Sequence, residues 1–499
     1  MLVSLAGGWL VWMATPMGAG LWPDSTVYLA MAEKIWSGEG FIIPFAQGHY
    51  MNAAHFPPGY PILLGVASLW EKNLASFGRT LSCLLFVVNL LLIFWAIRRL
   101  SPRSHGPALM AAMLAATSLD LVSLHSMILS EPLFLALLIP GLIWMEEYVT
   151  RGERRYLIGA AILLGLTAVV RYAGIAAIAA GALTLCVGWK PIGKKVEALA
   201  LFLAVSVIPS GAWFIRNYRL TTQVTDRAWA FHIESLKEQL RPALDTIGAW
   251  LACNPDLVPH WPLALPIAVL IVGFLGLVIY RKRNPTVIRE QEFSFISGGA
   301  FLMCYSVLLV GTLMFFDASM PLDFRLMAPL HVVCLIGGMA WVSGRMQGDR
   351  RLFQVFILGF ALYVVFSCRQ AWAWCAQTRE DGQGYASDAW KKSGLLAITK
   401  RLPPTTVIYT ISPGALYLYT GRIGIEIPTK WPRDTLRLNP QYAASLDLMR
   451  RRLDRNEAAM LYFSEDSEPV FPAYEEIVRG LRVPCISASD GFFCGKVPT

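Results

Sequence analysis

Apolar runs long enough to cross a hydrocarbon layer of roughly 30 Å as helices of about 20 residues recur from residue 2 to residue 373 and then stop. Eleven spans are expected: 2–20, 79–97, 106–124, 132–149, 156–170, 172–189, 196–214, 263–280, 293–315, 326–344 and 352–373. The loops between them alternate in charge. Arg98, Arg99 and Arg103, then Arg151, Arg154 and Arg155, then Lys190, Lys194 and Lys195, then Arg281, Lys282 and Arg283, then Arg345, Arg350 and Arg351 mark five basic loops. Cytoplasmic loops collect Lys and Arg, so the N-terminus is expected inside and everything after residue 373 outside. The run 156–189 is read as two short spans about Arg171, because both flanking loops are basic and must share one side.

On the exported side the pattern changes twice. In loop 21–78, Tyr28, Leu29, Ala32, Ile35 and Trp36 fall on one helical stripe that ends at Gly38, which predicts an interfacial helix. A Pro-Pro-Gly turn then leads from His55 into a second short apolar helix, so the loop reads as helix, turn, helix. A further exported loop is expected at 215–262. Residues 374–499 alternate short strands with helices: helices near 385–401, 413–420, 440–455 and 471–481, strands at 406–411, 423–427 and 458–464, and a final hairpin. The expected organisation is a polytopic helical membrane region, 1–373, followed by a small extracytoplasmic α/β domain, 374–499.

Composition agrees with that division. Hydrophobic residues make up 55% of the 499 and charged residues 15%, which excludes an ordinary soluble protein. The net charge of +9 is scattered among the basic loops and reflects topology, so no nucleic-acid partner is expected. The first apolar segment has no basic flank and reads as a retained span, in a multi-pass protein of the plasma (inner) membrane. Cys485 and Cys494 lie on either side of an Asp-Gly turn, a spacing that allows a cross-strand disulfide in an oxidising compartment and equally two unpaired thiols. No metal-ligand spacing is present among the nine cysteines and seven histidines; no cofactor is assigned, and a divalent metal is left open.

Ionisable residues at membrane depth are costly and tend to be functional. Nearly all of them map to the outer edge: Asp24, His49, His55, Asp120, His125, Glu131, Arg171, Arg216, Arg219, Asp317, Asp323 and Arg325. Acids accompanied by arginines at that level suit an anionic, lipid-borne substrate whose phosphate lies among the headgroups.

The segments "PDSTVYLAMAEKIWSGEGF…HFPPGYP", "SEPLF", "RYAG", "IRNYR" and "DFRLMAPL", in that order over residues 10–375, resemble the GT-C superfamily of membrane glycosyltransferases. The similarity is greatest to the branch of protein O-mannosyltransferases and the lipid A aminoarabinose transferase. The resemblance implies a sugar donor carried on polyprenyl phosphate and a lipid, glycan or protein acceptor on the exported side. It places the first-loop acid on Asp24, as the base toward the acceptor, and offers Glu131 as a second acid. His55, Arg216 and Arg325, with Arg171 and Arg219, become the phosphate ligands; Tyr28, Tyr60 and Asp323 become acceptor or sugar contacts. Relatives carry a second acid directly after the first, where this chain has Ser25, which argues for one base and against a metal bridged by an acid pair.

Each residue also has a plainer role open to it. Asp24 is suited to cap the following helix, Glu131 to start a helix before Pro132, and Arg325 and Arg219 to anchor at the interface. A secondary transporter would show repeated halves and broken helices at the midplane, and no repeat is visible. A flippase or a non-catalytic envelope-assembly protein would keep the arginines and tolerate loss of Asp24.

Overall fold

The computed structural model describes residues 1–499 apart from 46–47, 67–70, 72, 102–104, 189–191, 228, 251–294, 346–349, 434, 465–469, 480 and 497–499. The expected span 263–280 and the basic residues Arg103, Lys190, Arg281, Lys282 and Arg283 lie outside the described residues.

Among the described residues, six helices are long and apolar enough to cross a membrane, or seven if a pair bent by 64° is counted as one span. The six are α4 (Leu74–Leu100), α7 (Glu131–Arg151), α10 (Ile192–Thr221), α13 (Ile296–Phe315), α14 (Phe324–Arg345) and α15 (Arg350–Asp381); the bent pair is α5 (His105–Thr117) and α6 (Leu119–His125). Three expected spans are shorter helices: α1 (Leu2–Ala14), α8 (Arg154–Val170) and α9 (Ile175–Val187). Between α8 and α9 the chain doubles back through a tight turn at Tyr172–Gly174, so this stretch is two helices. A Cβ on Gly174 would stand 2.2 Å from the backbone nitrogen of Ala168, a close approach that admits only glycine. The turn leaves Arg171 at the junction of the two helices.

Loop 21–78 departs from helix, turn, helix. After α2 (Pro23–Trp36) a β-hairpin intervenes, β1 (Ile42–Phe45) paired antiparallel with β2 (His49–Asn52), before α3 (Gly59–Val66). Pro44 hides the hairpin in the sequence; it is tolerated because a two-stranded ribbon has only edges.

Residues beyond α15 form short helices and a five-stranded sheet of order β4-β3-β5-β7-β6. Its strands are β3 (Val407–Thr410), β4 (Ile425–Glu426), β5 (Ala458–Phe463), β6 (Cys485–Ala488) and β7 (Gly491–Cys494). β3 runs parallel to β4 and β5, joined through α18 (Pro413–Thr420) and α19 (Tyr442–Asp454), while β7 returns antiparallel to β5. Every residue of the central strand β5 is buried, which is why it reads as a continuous apolar run. The expected helix at 385–401 is broken into α16 (Asp388–Lys391) and α17 (Gly394–Thr399), where Ser393 caps α17 by accepting the Leu396 N–H. Tyr28, Tyr60 and Leu64 of the first loop share a hydrophobic cluster with Tyr385, Trp390, Leu395 and Phe463 of this region.

Cys485 and Cys494 face each other across the β6–β7 hairpin, Cα atoms 4.1 Å apart, and their sulfurs are bonded. Closing so short a loop removes about 2–3 kcal/mol of chain entropy from the unfolded ensemble. Replacing both cysteines by Ala is expected to lower the thermal midpoint without altering the helical signal, and reductant should then have no further effect. An unchanged midpoint would show that the sheet alone holds this hairpin.

Candidate active site

The acid of the first loop is positioned from the backbone up. Residues 20 and 21 are clasped between two other segments. Gly20 N–H donates to Ser126 O and Ile128 N–H to Gly20 O, while Tyr385 N–H donates to Leu21 O. Gly384 makes this possible, because a Cβ there would stand 2.2 Å from the Leu21 carbonyl oxygen. The chain leaves the clasp at Trp22, the N-cap residue of α2, and Pro23 takes the first helical position, where its missing N–H costs nothing. Ser25 lies fully buried and its hydroxyl accepts the Trp22 N–H at 3.0 Å. The serine that stands in place of a second acid therefore does the capping, and Asp24 does not. Asp24 occupies the second helical position, where the positive end of the helix dipole favours a carboxylate.

Four elements converge on Asp24. Its Oδ2 accepts from Arg325 Nη2 at 2.8 Å. The same Nη2 donates to Glu131 Oε1 at 3.2 Å, and Arg325 Nε donates to that oxygen at 3.3 Å. Glu131 Oε1 also pairs with Arg171 Nη1 at 2.6 Å. Arg171 Nη1 donates to Ser130 Oγ at 3.1 Å, and Ser130 Oγ shares a hydrogen bond with Tyr28 OH, also 3.1 Å. Tyr28 lies one helical turn after Asp24, so the network starts and ends on α2 and passes through α14, the start of α7 and the α8–α9 turn. Two arginines thus balance two of the acids, and a third acid, Asp323, has its Oδ1 taken by the Arg325 and Leu326 N–H groups at the start of α14. Burial raises the Asp323 carboxyl above the usual range, with Glu131 adding to that and the helix-start N–H bonds and Arg325 opposing it.

The members differ in exposure, and that separates their roles. The Glu131 side chain is 2% exposed and held by two guanidinium groups, while the Asp24 side chain is 34% exposed. Glu131 is enclosed between the two arginines, and Asp24 is the more accessible of the two acids. Tyr28 and Tyr60 are buried and pack edge-on, ring centres 5.2 Å apart, so they brace the site from behind and offer a sugar no surface.

The remaining expected phosphate ligands stand apart from this network. Arg216 donates to the carbonyls of Phe41 and Ala53, at 3.0 and 2.5 Å, and lies over the Trp213 ring. It ties the β-hairpin of the first loop to α10. Arg219, at the end of α10, is exposed. His55 packs on Phe56, and burial above all, then the nearby Arg227, holds its pKa below the usual value. His49 is on β2 and solvent-exposed. His125, buried, bonds to Asn89 and the Leu121 carbonyl and serves the helix packing.

Two participants carry no obvious mark in the sequence. Ser130 links Tyr28 to Arg171, and only its place beside Glu131 in "SEPLF" hints at it. Arg227 pairs with Asp317 at 3.4 Å on the edge of the His55 environment. Among the described residues, no group of three or more His, Cys, Asp or Glu side chains is placed to hold a metal ion.

No protein-family model and no curated protein sequence matches the chain. Its fold is similar to that of ArnT from Cupriavidus metallidurans bound to undecaprenyl phosphate, with a TM-score of 0.55 and 13% identity over 100% of this chain and 98% of that one. The apo state of the same protein matches with a TM-score of 0.56 at 13% identity and the same coverage. The archaeal oligosaccharyltransferase AglB from Archaeoglobus fulgidus, in complex with an inhibitory peptide and a dolichol-phosphate, matches with a TM-score of 0.50 and 12% identity over 93% of this chain and 69% of that one. The chain shares the fold of these solved structures, in a multi-pass membrane protein.

Proposed function

We propose that the protein moves a sugar from a polyprenyl-phosphate carrier to a lipid, glycan or protein acceptor on the extracytoplasmic side, with inversion at the transferred carbon. The observation that carries this reading is the meeting of Asp24 with Arg325, and through Glu131 with Arg171, in a fold whose solved examples hold a polyprenyl phosphate. Phosphate is a stable leaving group, so the reaction needs a base for the acceptor more than an acid for the donor. Asp24 takes the proton of the acceptor nucleophile as it attacks the anomeric carbon, and the bond from that carbon to the phosphate oxygen breaks on the opposite face. Arg325 and Arg171 offset the charge gathering on the phosphate. His55 offers a hydrogen bond, and Arg216 holds the β-hairpin of the first loop to α10.

The same reading gives the chain about eleven spans, a cytoplasmic N-terminus, and an extracytoplasmic α/β domain at 374–499 that helps to select the acceptor. Its packing against the first loop supports that last role, since Tyr28 and Trp390 lie in one cluster.

The test is a purified full-length preparation given a polyprenyl-phosphate sugar and assayed for released polyprenyl phosphate. Absence of release with every donor and acceptor tried, beside unaltered flipping of the same lipid, would replace transfer with transport. The two α10 arginines sharpen the test. Arg216→Ala frees the hairpin from α10 and is expected to lower kcat/KM by about tenfold or more, the loss of two charge-assisted hydrogen bonds. Arg219→Ala, at an exposed position, is expected to stay within about twofold. Equal losses would mean that the two act together on the lipid phosphate.

A further inference from the structure

Resting on that reading, the site contains a conflict: the guanidinium proposed for the donor phosphate is already bonded to the proposed base. Arg325 Nη2 lies 2.8 Å from Asp24 Oδ2, and a carboxylate held in an ion pair with a guanidinium is a weaker base at both of its oxygens. The two halves of the Arg325 pairing are unequal. Glu131 is buried, is held a second time by Arg171, and meets Arg325 through both Nε and Nη2. Asp24 faces the accessible side and has Arg325 as its ion-pair partner, with its side chain a third exposed. An anion entering from that side meets the Asp24–Arg325 contact first.

We propose that Arg325 is a switch shared between Asp24 and the donor phosphate, so that donor binding itself releases the base. The phosphate takes the Arg325 Nη2–H, Glu131 keeps the guanidinium in place, and Asp24 is left with a free carboxylate beside the anomeric carbon. The acceptor hydroxyl then gives its proton to Asp24 as its oxygen bonds to the anomeric carbon and the carbon–phosphate oxygen bond breaks. The electron pair of that bond leaves with the polyprenyl phosphate. A protonated Asp24 cannot re-form the ion pair, so Arg325 stays with the product phosphate until the proton passes to water. The ion pair then re-forms as the lipid departs. Two consequences follow: the donor binds before the acceptor, and without a donor the base is masked, which suppresses chemistry on water or acceptor alone.

The competition is read by equilibrium binding of a short polyprenyl monophosphate to the full-length protein in detergent, without any turnover. Asp24→Asn is expected to bind it about tenfold more tightly than wild type, the ratio given by removing an internal competitor worth about 1.4 kcal/mol. In an Arg325→Gln background the same substitution should change nothing. A gain that persists without Arg325 would reflect only the loss of a nearby negative charge and would overturn the switch, as would no gain at all. A second measurement avoids altering Arg325. With Asp24→Ala, added formate should fill the vacant carboxylate position and weaken phosphate binding toward the wild-type value; formate without effect counts against the proposal. Wild-type protein that binds no polyprenyl phosphate would instead overturn the donor reading on which the switch rests.

Discussion

Asp24→Asn should lower the rate of sugar transfer by about 10²–10⁴-fold, the range in which a positioned general base contributes. The variant should keep its thermal midpoint and its ability to bind a polyprenyl phosphate. The amide has the size of the carboxylate, so the packing of α2 against its neighbours survives, while the proton acceptor and the charge that engages Arg325 are gone. Partial exposure makes the structural loss small, because a part-exposed pair contributes about 1 kcal/mol or less. Rate measured at saturating donor separates the two effects: kcat falls while donor binding tightens. Full activity in Asp24→Asn would remove Asp24 from the chemistry and turn attention to Asp323, two residues before Arg325, whose carboxyl burial raises above the usual range.

The importance of Asp24 was legible because the residue types said so together. A carboxylate after an apolar run, at the head of an amphipathic stripe, is costly unless it has a task or a partner. Asp24, Glu131, Arg171 and Arg325 were each marked by this argument, and the fold brings these four into one bonded network. What sequence could not give was the order of the bonds. The sequence offers Glu131 as a second acid without placing it relative to Asp24; Arg325 stands between them, and the pair shares a cation. Arg216 and Arg325 look alike in the sequence, yet one bonds backbone carbonyls and the other carboxylates, a difference made by tertiary neighbours alone. The β-hairpin at 42–52 was missed because its strands are four residues each and Pro44 argues against a strand. Span boundaries were blurred for a related reason. Helices α1, α8 and α9 pack on neighbours and need not each present about 20 apolar residues to lipid. Ser25 is the reverse case, a departure from an expected acid that the fold explains: its buried hydroxyl caps α2 by accepting the Trp22 N–H.

Glu131→Gln should be the most destabilising single change at this site, and it tests whether the network is structural before it is catalytic. Glu131 lies at the start of α7 with 2% of its side chain exposed, and it neutralises Arg171 at 2.6 Å and Arg325 at 3.2 Å. Removing one member of a buried pair leaves a cation without compensation, at a cost of about 3–5 kcal/mol. Arg325 retains Asp24, so the loss falls mainly on Arg171, whose other bond in the network is to the neutral Ser130. The expected result is a thermal midpoint several degrees below that of Asp24→Asn, with activity lost in parallel. Pairing Glu131→Gln with Arg171→Gln should recover part of the midpoint, because the second substitution removes the stranded charge. It should not recover activity, because a cation proposed for the donor phosphate has gone with it. A midpoint unchanged in Glu131→Gln would mean that water or lipid headgroups reach Arg171, and that the arginines, not the buried acid between them, set the geometry of the site.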